Sequence, residues 1–269
     1  MHSVKINPSS IKLHSEQSDY YRWRTPYVAN LFNAVCSELN ISADSTVMDL
    51  GCGTGEVSNI LANYAGKIYA IDGSSEMIAL AKPKNNIQYQ VVDLNSSNPR
   101  TENKVDHLFF GRSIHWFPAE TLKRLAAETL KKNGKVVVCS TQWTPVGSWG
   151  VTYFDTLQNF SPPKAASKVK HDFSGQSNLG EAGFVPVKKL VARAKLTVDA
   201  QFMVHHAMST SYGEQLTKLR TLLPAFKDEL MGRLKEFDLR KEIVWEVSSW
   251  AIIYENEARS DIEKPSRRS

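Results

Sequence analysis

The sequence has little cysteine, no long apolar run and no internal repeat. Its 269 residues include three cysteines at wide spacings, Cys36, Cys52 and Cys139, which fit neither a disulfide framework nor paired Cys-x-x-Cys metal ligands. No apolar run approaches the roughly 20 residues that a membrane-spanning helix needs, and residues 1–8 lack the apolar core of a signal peptide. We therefore expect a cytoplasmic protein with no membrane segment and no metal site.

The composition is that of a globular protein with a modest basic excess. Hydrophobic residues make up 42% and charged residues 23% of the chain, which excludes a disordered or fibrous protein. The formal net charge is +5, and basic side chains are concentrated between residues 164 and 195. We expect them to be solvated lysines that protect a sheet edge, and steering of an anionic acceptor is the alternative.

Residues 45–140 alternate short β-branched runs with helical patterns, which predicts strand-helix-strand units and a parallel sheet covered on both faces. The predicted strands are 46–50, 67–71, 87–92, 105–110 and 135–140. The predicted helices are 56–64, 75–81 and 119–131, the last with Gly134 as its C-terminal cap. This segment is the predicted core of a single domain over 1–269.

The segments on either side of that core have a different composition and lack its regular alternation of strands and helices. Residues 1–40 are predicted as a helical lid, and residues 141–236 as a substrate-binding insertion of loops and short helices. The insertion includes a strand over 185–198 and two helices over 199–236. A last strand is predicted within 240–255, and residues 256–269 are expected to form a flexible tail.

A glycine-rich turn follows the first predicted strand. Gly51, Gly53 and Gly55 occupy alternate positions between that strand and the next helix, and glycine lets the backbone turn sharply and approach a ligand closely. The turn is flanked by acids, since the first three strands end near Asp49, Asp72 and Asp93. A carboxylate at the end of the second strand can accept hydrogen bonds from both hydroxyls of a ribose.

These segments resemble a known family. Residues 49–55 (DLGCGTG) and 71–78 (IDGSSEMI) resemble motif I and the segment after the second strand of the class I S-adenosylmethionine-dependent methyltransferases. Residues 21–27 (YRWRTPY) and 113–117 (SIHWF) are similar to segments of the trans-aconitate-methyltransferase-like branch, which acts on small molecules. The resemblance implies a Rossmann-like, doubly wound α/β fold whose seven-stranded, mostly parallel sheet has a last antiparallel strand.

The resemblance also implies the cofactor and its contacts. S-adenosyl-L-methionine would bind at the glycine turn and be released as S-adenosyl-L-homocysteine. Asp49 would orient the methionine ammonium, Asp72 would hold the ribose hydroxyls, and Asp93 would accept from the adenine amine. The other predicted cofactor contacts are Gly51, Cys52, Gly53, Gly55, Gly73, Ser74, Met77, Leu94, Gly111 and Arg112.

Candidate residues for the methyl transfer are His115 and Tyr21. Methyl transfer from a sulfonium is an in-line displacement, so a base is needed only when the nucleophile arrives protonated. His115 follows the fourth strand and could serve as that base, although its segment could instead pack a loop. The predicted substrate contacts, for which ordinary packing is the alternative, are Tyr20, Arg24, Trp116, Trp143, Trp149 and Tyr153. His205 and His206 are interpreted mainly as part of a helix that faces the same region.

We therefore expect methyl transfer to a carboxylate or hydroxyl oxygen of a small molecule by a monomer or homodimer. The alternatives are N- or C-methylation of a hydrophobic metabolite, methylation of RNA or protein, and a non-catalytic cofactor-binding protein. A nucleic-acid partner is not expected, because no continuous basic face interleaved with aromatics is visible on the core segment.

Overall fold

A seven-stranded sheet organises the molecule. The computed structural model describes residues 18–160, 174–211, 213–237 and 243–257. Its strands are β1 Thr46–Leu50, β2 Lys67–Asp72, β3 Ile87–Val91, β4 Val105–Gly111, β5 Leu130–Pro145, β6 Phe184–Val198 and β7 Ile243–Asn256. They lie in the order β3-β2-β1-β4-β5-β7-β6.

One strand runs against the others. Strands β1 to β5 pair in parallel, whereas β7 is antiparallel to both of its neighbours, β5 and β6. The predicted Rossmann-like sheet, mostly parallel with a last antiparallel strand, is therefore confirmed. Strand β6 is an edge strand, and it carries the exposed side chains of Lys188, Lys189, Arg193 and Lys195.

Nine α-helices and two 3-10 helices complete the described part of the chain. The α-helices are α1 Ala29–Glu38, α2 Glu56–Leu61, α3 Ser75–Ala79, α4 Ala119–Thr129, α5 Trp149–Phe160, α6 Gln176–Glu181, α7 Ala200–Thr210, α8 Gly213–Thr221 and α9 Leu223–Leu234. The 3-10 helices are Ser18–Trp23 and Ile114–Trp116. None of the helices in these ranges is long and apolar enough to cross a bilayer.

Helices cover both faces of the sheet, because successive strand residues point to opposite sides. Val47 and Phe109 belong to the core that α1 and α2 cover, whereas Met48 and Leu108 belong to the opposite core, which α4 and α6 cover. Both layers are buried to the extent expected of central parallel strands. The carboxyl ends of β1, β2 and β4 meet at one edge of the sheet, which we call the rim.

A third core lies beyond that rim. Helices α5, α7, α8 and α9 pack with the first half of β7, and the fully buried Trp245 lies among their apolar side chains. We call this group of helices the cap. The predicted insertion is thus largely helical where it is described, and the predicted pair of helices over 199–236 is three helices, α7 to α9.

Strand β5 corrects two sequence predictions. Helix α4 ends at Thr129, and the chain pairs with β4 from Leu130 onward, so Gly134 lies inside a strand and its prediction as a helix cap is wrong. A Cβ on Gly134 would lie 2.6 Å from the carbonyl oxygen of Asp106, which explains the glycine by close strand approach. Strand β5 also continues to Pro145, so Trp143 lies on a strand rather than in a loop.

Two other predictions fall partly outside the description. Lys164, Lys168 and Lys170 of the basic segment lie outside the described residues. The predicted tail begins at Asn256, which is the last residue of β7, and residues 258–269 are likewise outside the described part.

Candidate functional site

The glycine turn has a backbone that only glycine adopts readily. Gly51, Gly53 and Gly55 have φ values of +69°, +56° and +80°, in the left-handed region. A Cβ on Gly51 would lie 2.6 Å from the Cβ of Ser113, so this turn also packs tightly against the segment after β4. The N–H groups of Gly51 and Cys52 both donate to the carbonyl oxygen of Ile71, which ties the turn to β2.

Asp49 is a buried carboxyl with one unused oxygen. Its Oδ2 accepts from the Ser58 hydroxyl at 2.6 Å, whereas Oδ1 is buried without a hydrogen-bond partner in the described structure. The pKa of Asp49 is raised to about 7, chiefly by burial; the hydrogen bonds from Ser58 oppose this rise, and the neighbouring Asp72 and Glu56 contribute to it. Burying an acceptor without a hydrogen-bond partner destabilises the folded protein, so we expect a bound ligand to donate a hydrogen bond to this oxygen.

Asp72 bridges the glycine turn and the start of α3. Its Oδ2 accepts from the Gly53 N–H at 2.7 Å, and its Oδ1 accepts from the Ser74 N–H at 2.9 Å. Burial raises the pKa of Asp72, against hydrogen bonds from the backbone of Ser74, Gly53 and Gly73 that lower it. Each oxygen keeps a second lone pair, so the carboxylate can still accept from a diol.

The predicted adenine side is less distinctive. Asp93 is exposed, and its oxygens accept from the Asn95 N–H and the Ser96 hydroxyl, as an ordinary turn residue does. Ser74 caps α3 by accepting from the Met77 N–H. Met77 and Leu94 are buried, and the Met77 methyl lies 3.2 Å from the position that a Cβ on Gly53 would take. The adenine roles of these residues stay predictions.

Arg112 lies at the end of β4 in a left-handed backbone conformation, with φ +58°. Its N–H donates to the Cys139 carbonyl, and its guanidinium donates to the Thr25 carbonyl at 3.1 Å and pairs with Glu56. Gly111 precedes it, where a Cβ would meet Val57 at 2.6 Å. The Arg112 side chain therefore joins elements of the protein to each other, whatever its backbone contributes to a ligand.

His115 and Trp116 lie in the 3-10 helix that follows Ser113. The Ser113 hydroxyl donates to the Leu50 carbonyl, so this segment is fixed against the glycine turn. Both side chains are half-buried, and their ring centroids are 4.6 Å apart. The structure therefore places the segment that carries His115 against the glycine turn through Ser113, while the catalytic role of His115 stays a prediction.

The N-terminal segment crosses the same rim. The Tyr21 hydroxyl lies 3.5 Å from the position that a Cβ on Gly53 would take. Arg24 stacks over the Tyr21 ring at 4.6 Å, and its Nε donates to the Ser209 carbonyl of α7 at 3.2 Å. Tyr20 packs against the cap core. Tyr21 and Arg24 are therefore at the site, whereas Tyr20 is beside it.

The predicted aromatic substrate contacts form one cluster in the cap. Trp143 stacks on Trp245 with ring centroids 3.9 Å apart and meets Tyr153 edge-on at 5.9 Å. Trp149 and Tyr153 are buried, while Trp143 is half-buried and stacks on the exposed Phe154. Most of this cluster packs the cap, so only Trp143 and Phe154 offer a partly open aromatic surface.

Sequence reasoning missed the polar contacts that hold these parts together. Glu56 pairs with Arg112 and accepts from the Tyr27 N–H, and the Thr25 hydroxyl contacts the buried His206 of α7. No local spacing marks Thr25 or His206, because their contact joins residues 181 positions apart.

The donor set fits S-adenosylmethionine. The unpaired Asp49 oxygen suits an ammonium, the Asp72 carboxylate suits a ribose diol, and the glycine turn leaves the space that side chains would fill. Within the described residues, no group of three His, Cys, Asp or Glu side chains is close enough to hold a metal ion. The three cysteines are buried and free.

Comparison with known proteins agrees with this fit. Residues 47–134 match the family model described as "Methyltransferase domain". An uncharacterised methyltransferase of Schizosaccharomyces pombe is 28% identical over 123 residues, which are 45% of this chain and 49% of that protein. A protein of Saccharomyces cerevisiae named as a probable S-adenosylmethionine-dependent methyltransferase is 26% identical over 129 residues, 44% of this chain and 43% of that protein. The chain spans about half the length of the curated relatives that it matches.

The fold has solved counterparts as well. A structure from Anaeromyxobacter dehalogenans that carries a type II methyltransferase name aligns with a TM-score of 0.51 at 16% identity, over 86% of this chain and 96% of that one. At this identity the likeness shows the fold alone. The narrower trans-aconitate-methyltransferase-like branch is not confirmed. Residues 47–134 match the methyltransferase domain family, and this match agrees with the predicted resemblance to the class I S-adenosylmethionine-dependent methyltransferases.

Proposed function

We propose that this protein uses S-adenosylmethionine to methylate an oxygen atom of a small-molecule acceptor, with a carboxylate as the first choice and a hydroxyl as the second. The observation that carries the proposal is the pair of strand-end acids, Asp49 and Asp72, on either side of a glycine turn with left-handed backbone. This arrangement lies within the residues that match the methyltransferase domain.

Each acid has a distinct task in this proposal. Bound at the turn, S-adenosylmethionine would supply a methyl group on a positively charged sulfur. Asp49 would accept from the ammonium of the methionine portion through its unpaired Oδ1. Asp72 would accept from both ribose hydroxyls while keeping its bonds to the Gly53 and Ser74 N–H groups. Such charge-assisted hydrogen bonds each contribute about 1.5–3 kcal/mol.

The protein's part in the transfer is to align the acceptor and exclude water, since an in-line displacement requires no covalent enzyme intermediate. Tyr21 covers the glycine turn and would close the site on one side. His115, fixed beside the turn through Ser113, would take the proton of a hydroxyl acceptor. A carboxylate acceptor needs no base, so His115 would then only donate a hydrogen bond.

Charge at the rim favours an anionic oxygen acceptor. Arg24 stacks on Tyr21 and is anchored to α7, which places a guanidinium next to the proposed methyl-transfer space. A guanidinium is suited to bind a carboxylate through two parallel hydrogen bonds. The half-exposed Trp143 and Phe154 provide apolar area for the rest of such a molecule.

A small acceptor suits the cap better than a macromolecule does. The described basic side chains of the predicted basic segment lie along the edge strand β6, where Lys188 pairs with Glu38 of α1. Charged side chains on an edge strand protect it from pairing with other chains. They do not line the rim around Asp49 and Asp72, where a bound nucleic acid would have to be methylated.

Two measurements test the proposal in sequence. Isothermal titration should show that S-adenosylhomocysteine binds. The absence of binding at about 1 mM ligand, which corresponds to a binding free energy weaker than ~4 kcal/mol, would overturn the proposal. Incubation with methyl-labelled donor and a panel of small carboxylic acids, phenols and amines then identifies the acceptor atom. A carboxyl methyl ester releases labelled methanol in mild base, whereas methylated phenols and amines keep their label, so only a base-labile product supports the first choice.

A further inference from the structure

Residues 21–27 form a segment that we call the strap. It connects the cap to the cofactor half of the molecule, by which we mean strands β1 to β5 and the glycine turn. Thr25 lies at its centre and is only 4% exposed. The Thr25 hydroxyl contacts Nε2 of His206 at 3.3 Å, on the cap side. Its carbonyl oxygen accepts from the Arg112 guanidinium at 3.1 Å, on the cofactor side. A single residue therefore makes polar contacts to both halves.

On the cap side, Thr25 reaches a buried polar chain. His206 is 3% exposed, and its Nδ1 contacts the Tyr153 hydroxyl of α5 at 3.3 Å. Burial, together with the nearby Arg24, lowers the pKa of His206 to about 3, so its ring is neutral and offers one donor and one acceptor nitrogen. Two hydroxyls can satisfy that ring in either tautomer, which gives a continuous link from the strap through α7 to α5.

On the cofactor side, the link reaches the glycine turn. Arg112 pairs with Glu56, which begins α2 directly after Gly55, and Glu56 accepts from the Tyr27 N–H at 3.2 Å. The Arg112 guanidinium also lies 5.0 Å over the Tyr27 ring. The Tyr27 end of the strap is thus fixed directly to Glu56, and its centre is fixed to Glu56 through Arg112. At the other end, the Tyr21 hydroxyl lies 3.5 Å from the position that a Cβ on Gly53 would take.

We propose that Thr25 couples the cofactor site to the acceptor cap, with Thr25 and His206 acting as positioning residues. Ordering the glycine turn fixes Glu56 and Arg112, these fix the Thr25 backbone, and the Thr25 hydroxyl fixes His206 and helix α7. Because coupling between two sites is reciprocal, closing the cap strengthens cofactor binding by the same factor. The inference rests on the proposed function, since it takes the cofactor to bind at the turn.

The test removes only the cap side of the link. Thr25→Val keeps the shape and the carbonyl that Arg112 uses but loses the hydroxyl, and Thr25→Ser restores the hydroxyl. Thr210→Val is the matched control, because the hydrogen bonds that the Thr210 hydroxyl makes within the described residues go to carbonyls of its own helix, those of His206 and Ala207. S-adenosylhomocysteine is the probe, read by isothermal titration and by hydrogen exchange of peptides over residues 51–55 and 200–210.

In the wild type we expect the probe to slow exchange in both peptides. In Thr25→Val it should still protect 51–55 but no longer protect 200–210, and its affinity should fall about fivefold, the size of one buried hydrogen bond. Thr25→Ser and Thr210→Val should behave like the wild type. A merely structural role for Thr25 would lower stability and leave the protection of 200–210 by the probe in place.

Three results would overturn the coupling. The first is wild-type protection of 51–55 without protection of 200–210, which needs no variant and leaves the proposed function standing. The second is unchanged protection and affinity in Thr25→Val. The third is the same loss in Thr210→Val as in Thr25→Val. Absence of any binding to the wild type would overturn the proposed function together with the coupling.

Discussion

The cofactor half and the cap build their sites in different ways. In the cofactor half the site is made by backbone, with three glycines at positive φ and two acids at strand ends, all within 24 consecutive residues, 49–72. In the cap it is made by side chains that meet from distant parts of the chain, such as Trp143 on Trp245. The first kind of site tolerates almost no change of residue type, whereas the second depends on collective packing.

The largest effect should come from Gly51→Ala. The new Cβ would lie 2.6 Å from the Ser113 Cβ in a backbone conformation that alanine avoids, so the turn must move. We expect S-adenosylhomocysteine affinity to fall by about 100-fold or more, measured by titration. Gly232→Ala in α9 is the control from the cap, because among the described residues no atom outside the neighbouring helix backbone lies within 4 Å of its added Cβ, and binding should not change. Equal losses in both variants would contradict the comparison.

The next effect separates the half-buried Asp72 from the exposed Asp93. Asp72→Asn keeps the shape but loses the charge and one of the backbone acceptors, so affinity should fall about 10- to 30-fold. Asp93→Asn changes an exposed turn residue and should cost less than about threefold. The measurement is again titration with S-adenosylhomocysteine, and a loss for Asp93 as large as that for Asp72 would show that the adenine side also depends on charge.

A pH effect should follow from Asp49. Burial raises its pKa to about 7, so below that pH the carboxyl is mostly protonated in the free protein and must lose its proton to bind an ammonium. Affinity for S-adenosylhomocysteine should therefore rise up to about tenfold per pH unit from pH 5.5 to 7 and level off above. Asp49→Asn should bind weakly with a flat profile, and Ser58→Ala should shift the midpoint upward because it removes a bond that lowers the pKa.

The smallest effect concerns stability, and it comes from the cap. Burial lowers the pKa of His206 to about 3, below the unfolded value near 6.5. The unfolded chain then binds a proton that the folded chain excludes, so this contribution is complete above pH 6.5 and is lost as the pH falls toward 3. His206→Gln should make the fall in unfolding free energy between pH 6 and 5 shallower by about 1 kcal/mol. An unchanged slope in urea titrations would show that His206 is not excluded from protonation.

The features that the sequence predicts lie mostly in the cofactor half, and those that it does not predict depend on contacts between distant parts of the chain. The strands β1 to β4, the glycine turn and its acids were predictable because each depends on neighbours within a few residues. The prediction of Gly134 as a helix cap was wrong because pairing with β4 extends β5 back to Leu130. A short helical pattern in the sequence carries no information about which strand a segment will pair with. The Glu56–Arg112 pair joins residues 56 positions apart, and Thr25 with His206 joins residues 181 apart, so no local pattern could reveal them.

The order of strands also sets an order of events during synthesis. Strand β7 lies between β5 and β6, so β6 has no partner until residues 243–256 have been made. Strands β1 to β5 can pair with one another as they emerge, because domains and subdomains fold as their chain becomes available. Strands β1 to β5 can therefore be organised before synthesis ends, whereas β6 waits for β7, which begins 45 residues after β6 ends, and the cap helices wait for Trp245 of that same strand.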